Sequence, residues 1–352
     1  MCISILSLGL PFYWRPPRSR SHGRGPAATA ARRGCRSIQR RAERERASTN
    51  ALTLGSVISR YLEAKQDILR PSSFKAAKRY FADHWKPMHN RPLTSIKRAD
   101  VAARLQETVK AYGRTSAARG RGNLSALFSW AMKEGLCDVN PVIATNDPTE
   151  GIQPRDRVLS DDEIANVWNA CDDSDSGRIV RLLLLTGCRR EEIGALKWSE
   201  VDLDNGVLRI PGARTKNHRT LELLLPEAAI EILRSGPRQA DREFVFGRFD
   251  CPFSGWASAK LRLDAMITIA TGKPLAPWVL HDLRRTMRSN LGKLGVAPHV
   301  AELAINHVKG GVQAIYDRHR YQREIGALAL WADYVLALVK GRESKVVVLQ
   351  RA

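Results

Sequence analysis

The chain has 352 residues, 43% of them hydrophobic and 26% charged, which is enough for two compact domains of ordinary globular composition. Lysine and arginine number 57 against 36 acids, a formal net charge of +21 that favours a polyanionic partner, nucleic acid first among them. Six cysteines without a CxxC pair speak against a disulfide framework or zinc knuckle and fit a reducing cytoplasm, and the apolar start ISILSLGL is too short to span a bilayer.

Residues 1–50 hold eleven arginines, no lysine and only Glu43 and Glu45 as acids, a net of +9, so the other 302 residues still carry +12. The Pro-, Gly-, Ser- and Arg-rich stretch from Pro11 to Gly34 has neither a helical nor a strand period and reads as disordered. The QRRAERERA stretch after it reads as a charged connector, either a solvated run or a DNA-contacting arm. No basic amphipathic helix stands apart from the folded pattern, so no membrane partner is expected.

From Leu54 to about Asn140 the pattern is helical throughout. Leu54, Val57, Ile58, Tyr61 and Leu62 form one apolar stripe. Ser72 and Ser73 are expected to cap a helix carrying Phe74, Ala77 and Phe81, and Thr94 and Ser95 precede one with Ile96, Val101 and Leu105. A fourth helix runs from about Ser116 to Lys133 and stops at Gly135. Lys75, Lys78, Arg79, Arg114, Arg119 and Arg121 are candidates to grip a DNA backbone, or plain surface charges. Residues 141–157, rich in Pro, Asp and Thr, read as a linker. Ser160 with Glu163 then opens a helix in capping-box form, and Ile179–Leu185 is apolar on most sides and so deeply buried. Val207–Ile210 and Thr220–Leu225 suggest a small sheet, and from Trp256 to about Val339 the chain is helical again.

Distributed over these elements is a basic set that ends in a tyrosine: Arg189 in TGCRREEI, Lys216 in RTKNHR, His281 and Arg284 in HDLRR, His307 in INHVKGG and Tyr316 in AIYDRH. Breaking a phosphodiester without metal requires an in-line nucleophile, neutralised non-bridging oxygens and an acid for the departing oxygen. A tyrosine ester conserves bond energy for rejoining, and an arginine fork bonds two phosphate oxygens while staying charged. Gly187 permits a bend that delivers Arg189 from a buried helix, with Glu192 placed to hold it. His281, Arg284, Arg285 and Arg288 share one helical face, opposite Leu283, Met287 and Leu294. Lys216 lies in the turn between the two strands. Each residue also has a plainer reading: Arg189 as a salt-bridged helix-end arginine, the α-helical basic face as solvated, Lys216 as an exposed turn lysine, His307 as a cap, Tyr316 as a packed aromatic.

Taken jointly and in order, TGxRxxE, a lysine on a β-turn, HxLRR, a histidine and a tyrosine nine residues later resemble the tyrosine recombinase (phage integrase) family over about residues 52–335. INHV, AIYDRH and WADY at 331–334 look most like prophage and genomic-island integrases. The resemblance implies a mainly α fold with a small antiparallel β-sheet: a helical core-binding domain and a mixed α+β catalytic domain. The expected plan is a basic disordered leader with a remnant of an arm-binding domain (1–50), a core-binding domain (51–140), a linker (141–158), a catalytic domain (159–340) and a C-terminal tail (341–352). It further implies that Tyr316 forms a 3′-phosphotyrosyl bond while Arg189 and Arg284 clamp the phosphate and His307 adds a hydrogen bond. Lys216 would be the acid for the 5′ oxygen, His281 would help deprotonate the tyrosine, and Glu192 would be structural support. Tyr321, fourteen residues past His307, is the rival nucleophile and is set aside. Asn306 stands where the family usually has glycine, and residues 1–37 do not resemble an arm-binding domain.

The implied activity is metal-independent, site-specific DNA integration or excision, with no cofactor. The implied partners are double-stranded attachment sites, three further copies in a homotetramer on DNA, a host DNA-bending factor and an excisionase. The alternatives are a tyrosine-type topoisomerase, a prophage relic that binds DNA without cutting it, and a basic chromatin-like binder, which would leave the six-residue set unexplained.

Overall fold

The computed structural model describes residues 52–237, 242–307 and 323–341. The leader, Tyr316, Tyr321 and the tail beyond Gly341 lie outside the described residues. The chain divides between Gln153 and Pro154 into two compact units, each with its own apolar core. Both units are helical, and the second adds a three-stranded antiparallel sheet.

The first unit contains α1 (Leu54–Lys65), α2 (Pro71–His84), α3 (Arg98–Tyr112) and α4 (Arg114–Lys133). Thr53 starts α1 by accepting the Ser56 N–H on its hydroxyl, and Leu54, Val57, Ile58 and Tyr61 are buried along one stripe. Ser72 and Ser73 are not caps: Pro71 occupies the first helical position, where its missing N–H costs nothing, and both serines lie inside α2. Thr94 and Ser95 belong to a short 3₁₀ turn, and α3 starts three residues later, where Asp100 accepts the Lys97 N–H at 2.8 Å. Trp85, fully buried, donates its indole N–H to Gly120 O of α4 at 3.1 Å, so the α2 end and α4 are fixed together. Two of the candidate DNA-gripping arginines are engaged internally. Arg114 donates to the carbonyls of Pro148 and Glu150, and Arg121 to Thr145, stitching residues 145–150 onto α4. Lys75, Lys78, Arg79 and Arg119 are at least partly exposed.

The second unit runs through α5 (Asp161–Asn169), α6 (Asp175–Thr186), α7 (Arg190–Gly194), β1 (Val201–Asp202), β2 (Val207–Ile210), β3 (Leu221–Leu224), α8 (Glu227–Arg234), α9 (Trp256–Thr271), α10 (Leu280–Lys293), α11 (Pro298–Ala304) and α12 (Arg323–Val339). The Ser160–Glu163 capping box forms as expected, each partner accepting the other's backbone N–H. Helix α6 is buried along most of its length from Gly177 to Thr186, and α10 and α12 pack against it. The sheet order is β1-β2-β3, with β2 and β3 paired from Val207–Leu224 to Ile210–Leu221. Leu208, Ile210, Leu221 and Leu223 face the core, while Arg209 and Glu222 pair across the outer face at 3.1 Å. The two-residue strand β1 has no signal in the sequence; it is too short to carry a period of its own.

Helix α12 carries the WADY stretch into this core. Trp331 is fully buried and donates its indole N–H to Leu184 O of α6 at 2.8 Å, and the Tyr334 hydroxyl donates to Asp161 at the start of α5. No helix among the described residues is long and apolar enough to cross a membrane.

Candidate active site

Helix α6 ends on Gly187 in the left-handed conformation, φ 61°. A side chain here is excluded twice over, by that backbone and by Met287 of α10, whose sulfur would lie 2.4 Å from an added Cβ. The turn after it sets Arg189 at the N-cap of α7. Glu192, only 3% exposed, accepts both the Arg189 backbone N–H and its guanidinium, each at 2.8 Å. The anticipated Glu192 support is thus a buried carboxylate that fixes backbone and side chain of one arginine at once. Between them, burial and the same carboxylate push the Cys188 thiol up to about 12, which keeps it protonated and unreactive.

Arg284 departs from the expected solvated basic face. It is 4% exposed and points inward. One guanidinium nitrogen donates to Gly187 O at 2.5 Å and the other to Ile305 O. A charged face at helical spacing cannot reveal this, because the acceptors are backbone carbonyls at helix ends far away in sequence. Burial and the nearby Arg189 cation bring the Arg284 pKa down to about 10, so the group stays charged at neutral pH with little water around it. Residual N–H positions on a planar guanidinium so held aim in fixed directions.

Ile305 is the C-cap of α11, and the helix closes in a Schellman ending. The Asn306 N–H bonds Leu303 O at 2.7 Å and the His307 N–H bonds Glu302 O at 2.8 Å. Asn306 takes the left-handed position, φ 52°, where glycine is easiest and asparagine next. The departure from glycine noted in the sequence therefore leaves the turn intact. The solvent-accessible His307 ring is oriented by Glu302, which contacts Nδ1 at 2.9 Å and also accepts from Arg288 at 2.7 Å. Burial pushes the Glu302 carboxyl up, but the hydrogen bonds from Arg288 and His307 outweigh it and hold it below the usual range. Since a carboxylate only accepts, Nδ1 carries a proton, and Nε2 can donate to a phosphate only from the doubly protonated ring.

His281 sits in the first turn of α10 with its side chain accessible. Desolvation on its inner side, then Arg285, Arg284 and Arg189, keep its pKa below the ordinary histidine value, with Asp282 opposing. A ring held neutral among three arginines is suited to take a proton. Asp282, fully buried, accepts from Arg155, Arg285 and the Val279 N–H, and so fixes the entry to this helix.

Lys216 is exposed in the loop between β2 and β3, as the sequence suggested. Two side chains beside it make contacts that leave no trace in the sequence pattern. Arg214 pairs with buried Glu200 and donates to Glu192 O at 3.2 Å, and Asn217 donates to Asn306 O at 3.0 Å and to its side-chain oxygen at 2.9 Å. The structure thus brings together the turns bearing Arg189, Lys216, His281, Arg284 and His307, with Glu192 in support. Tyr316 lies outside the described residues. Among the described residues no group of three or more His, Cys, Asp or Glu side chains could hold a metal ion.

Two family profiles match the chain: the phage integrase family over residues 157–323 and the phage integrase central domain over residues 54–147. The chain belongs to the phage integrase family. This integrase-family chain is 26% identical over 269 residues to prophage integrase IntZ of Escherichia coli K12, covering 74% of this chain and 65% of that one. With prophage integrase IntA of the same strain it shares 27% over 266 residues, covering 73% and 62%. It therefore spans a little under two thirds of these relatives' length. Among solved structures, a lambda integrase fragment bound as a dimer to a COC′ core site is similar in fold, with a TM-score of 0.59 and 20% identity over 77% of this chain and 99% of that one. The Tn1549 transposon integrase in complex with circular intermediate DNA gives a TM-score of 0.58 at 14% identity, over 78% and 98%.

Proposed function

We propose that this chain is a site-specific DNA recombinase that cleaves and rejoins duplex DNA through a 3′-phosphotyrosyl bond to Tyr316. The observation that carries the reading is Arg284, whose guanidinium ties the Gly187 end of α6, next to Arg189, to the Ile305 end of α11, next to His307. Arg284 thereby links the segments that carry Arg189 and His307, an arrangement that would suit a phosphate with two non-bridging oxygens.

In the cleavage step the Tyr316 hydroxyl gives its proton to neutral His281, and its oxygen attacks phosphorus. The P–O(Tyr) bond forms as the P–O5′ bond breaks, and the Lys216 ammonium protonates the departing 5′ oxygen. Arg189 and Arg284 neutralise the non-bridging oxygens, and His307 donates from Nε2. Rejoining reverses the step: a 5′ hydroxyl from the exchanged strand gives its proton to the Lys216 amine and displaces the tyrosine. The lambda integrase of known structure is a tetramer on a Holliday junction, which supports a tetramer of this chain on paired attachment sites. A host DNA-bending factor and an excisionase are the partners that would set the direction of exchange.

The test is a suicide-substrate assay. Nicked duplexes tiled across the DNA flanking the reading frame are incubated with the full chain, and denaturation-resistant protein–DNA adducts are sought. Adduct with the wild type and none with Tyr316→Phe is expected. Equal adduct from both assigns the wrong nucleophile, and binding without any adduct overturns the recombinase reading in favour of a DNA binder alone.

A further inference from the structure

The loop from Pro211 to Thr220 carries Lys216 and is held on both sides of it. Before the lysine, Arg214 is anchored to Glu200 and to the backbone carbonyl of Glu192, the residue that holds Arg189. Inside the loop, fully buried Thr215 donates its hydroxyl to Arg219 O at 2.6 Å, and Gly212 lies so close to His218 that an added Cβ would come within 2.5 Å of its carbonyl oxygen. After the lysine, the Asn217 amide donates to both oxygens of Asn306, while its own oxygen accepts the Arg219 N–H at 3.3 Å. Lys216 itself makes no ion pair among the described residues.

Asn306 is the partner whose identity is informative. Its φ of 52° is a position that glycine fills at no steric cost, so an asparagine there gains only if its side chain is used. Here it is used: the side-chain oxygen takes a second hydrogen bond from Asn217, across 89 residues of sequence. The next residue is His307, and the preceding carbonyl, on Ile305, is gripped by Arg284.

We infer that Asn217 and Asn306 form a clasp that seats the Lys216 loop against the His307 turn, making both asparagines positioning residues for leaving-group protonation. This role rests on the recombinase reading and adds to it. A lysine on a hairpin tip has a long side chain and a mobile support; an amide pair one residue away fixes the backbone from which Nζ must reach the 5′ oxygen. Without the clasp the lysine keeps its charge but loses its aim, which slows the step in which the P–O5′ bond breaks and the Nζ proton passes to oxygen.

The experiment uses the full chain, single-turnover cleavage of a nicked duplex, and a second duplex with sulfur replacing the 5′-bridging oxygen at the scissile bond. A thiolate departs without needing a proton, so a defect in acid catalysis disappears on the sulfur duplex and a general defect does not. Asn217→Ala is expected to slow cleavage of the ordinary duplex by about tenfold to a hundredfold. On the sulfur duplex it should approach the wild-type rate, as Lys216→Ala should, with the DNA affinity of Asn217→Ala unchanged. Asn306→Gly, which keeps the turn and the backbone acceptor, should lose less than Asn217→Ala. Wild-type rates for Asn217→Ala on the ordinary duplex, or a loss that persists on the sulfur duplex, overturn the inference. Independently of cleavage, amide hydrogen exchange across residues 212–220 should quicken in Asn217→Ala while α6 and α10 stay protected. Unchanged exchange there overturns the clasp even if the wild type forms no adduct, whereas missing adduct by itself counts against the recombinase reading.

Discussion

Arg284 of α10 donates to the carbonyl oxygen of Gly187 at 2.5 Å, across 97 residues of sequence. The carbonyl belongs to the left-handed residue that ends α6, so the contact joins Arg284, a proposed phosphate ligand, to the bend that carries Arg189. Arg284→Lys is a sharp probe of this geometry. A single ammonium on a flexible stem cannot span Gly187 O and Ile305 O and still fork a phosphate. Cleavage should fall by about a hundredfold or more, as when a preorganised donor to the reacting group is lost. The folding free energy should fall by about 1–3 kcal/mol, because a buried carbonyl is left without its donor. Single-turnover rates and denaturant unfolding of the same preparation would read both; a variant near the wild-type rate would remove Arg284 from the phosphate site.

The pH dependence of cleavage should report His281. Loss of water, Arg285, Arg284 and Arg189 hold its pKa below the ordinary 6.5. As pH falls through 6.5 the ring stays neutral and able to take the tyrosine proton, so the acid limb of the rate profile should lie below 6.5. The same shift has a stability sign: the unfolded chain takes up the proton first, so stability declines as pH falls from 6.5 toward the native value. An acid limb above 6.5, or one unaltered in His281→Gln, would argue for another base.

Glu302 should give a related signature at lower pH. Its carboxyl is held below the usual range, so it contributes stability that is fully present above its unfolded pKa and is lost as pH falls through the folded one. Thermal midpoints of the wild type and Glu302→Gln, measured from pH 7 down to about 3, should converge at the acid end. The same variant should lower cleavage at neutral pH, since a neutral amide orients the His307 ring less firmly than the carboxylate that contacts its Nδ1. Parallel midpoint curves would mean that the Arg288–Glu302–His307 contacts carry no linked proton.

Charge neutralisation in the proposed mechanism comes from Arg189 and Arg284 and the proton from Lys216, so EDTA should leave cleavage unchanged. Duplex affinity should fall steeply with salt, its logarithm declining linearly with log salt at a slope of about −0.9 for each phosphate contacted. Strong inhibition by the chelator would replace the arginine-based scheme with a metal-assisted one.

Features set by local chemistry were legible in the sequence. The Ser160–Glu163 box, the buried run at Ile179–Leu185, the β2–β3 pair and the Glu192–Arg189 contact all involve neighbours or short periods. Less legible was anything decided by distant partners. Arg284 reads as part of a solvated stripe until the Gly187 and Ile305 carbonyls are seen, and nothing in a turn lysine's surroundings announces that the next residue pairs with Asn306. The misplaced α2 cap has a different origin. Ser72 and Ser73 are good capping residues, but Pro71 ahead of them is compatible with the helix itself and moves the boundary back.

Trp331 has no place in the chemistry, yet it fills the core and is fixed to Leu184 O, with Val335 fully buried one turn on. A reading frame interrupted between Tyr316 and Trp331 would still encode every residue of the proposed reactive set and would give a product that lacks the Trp331 and Val335 part of its core. Surveys that sort working copies of such genes from decayed ones by the presence of the reactive residues would count that allele as sound. Intactness through Val335 is the better criterion.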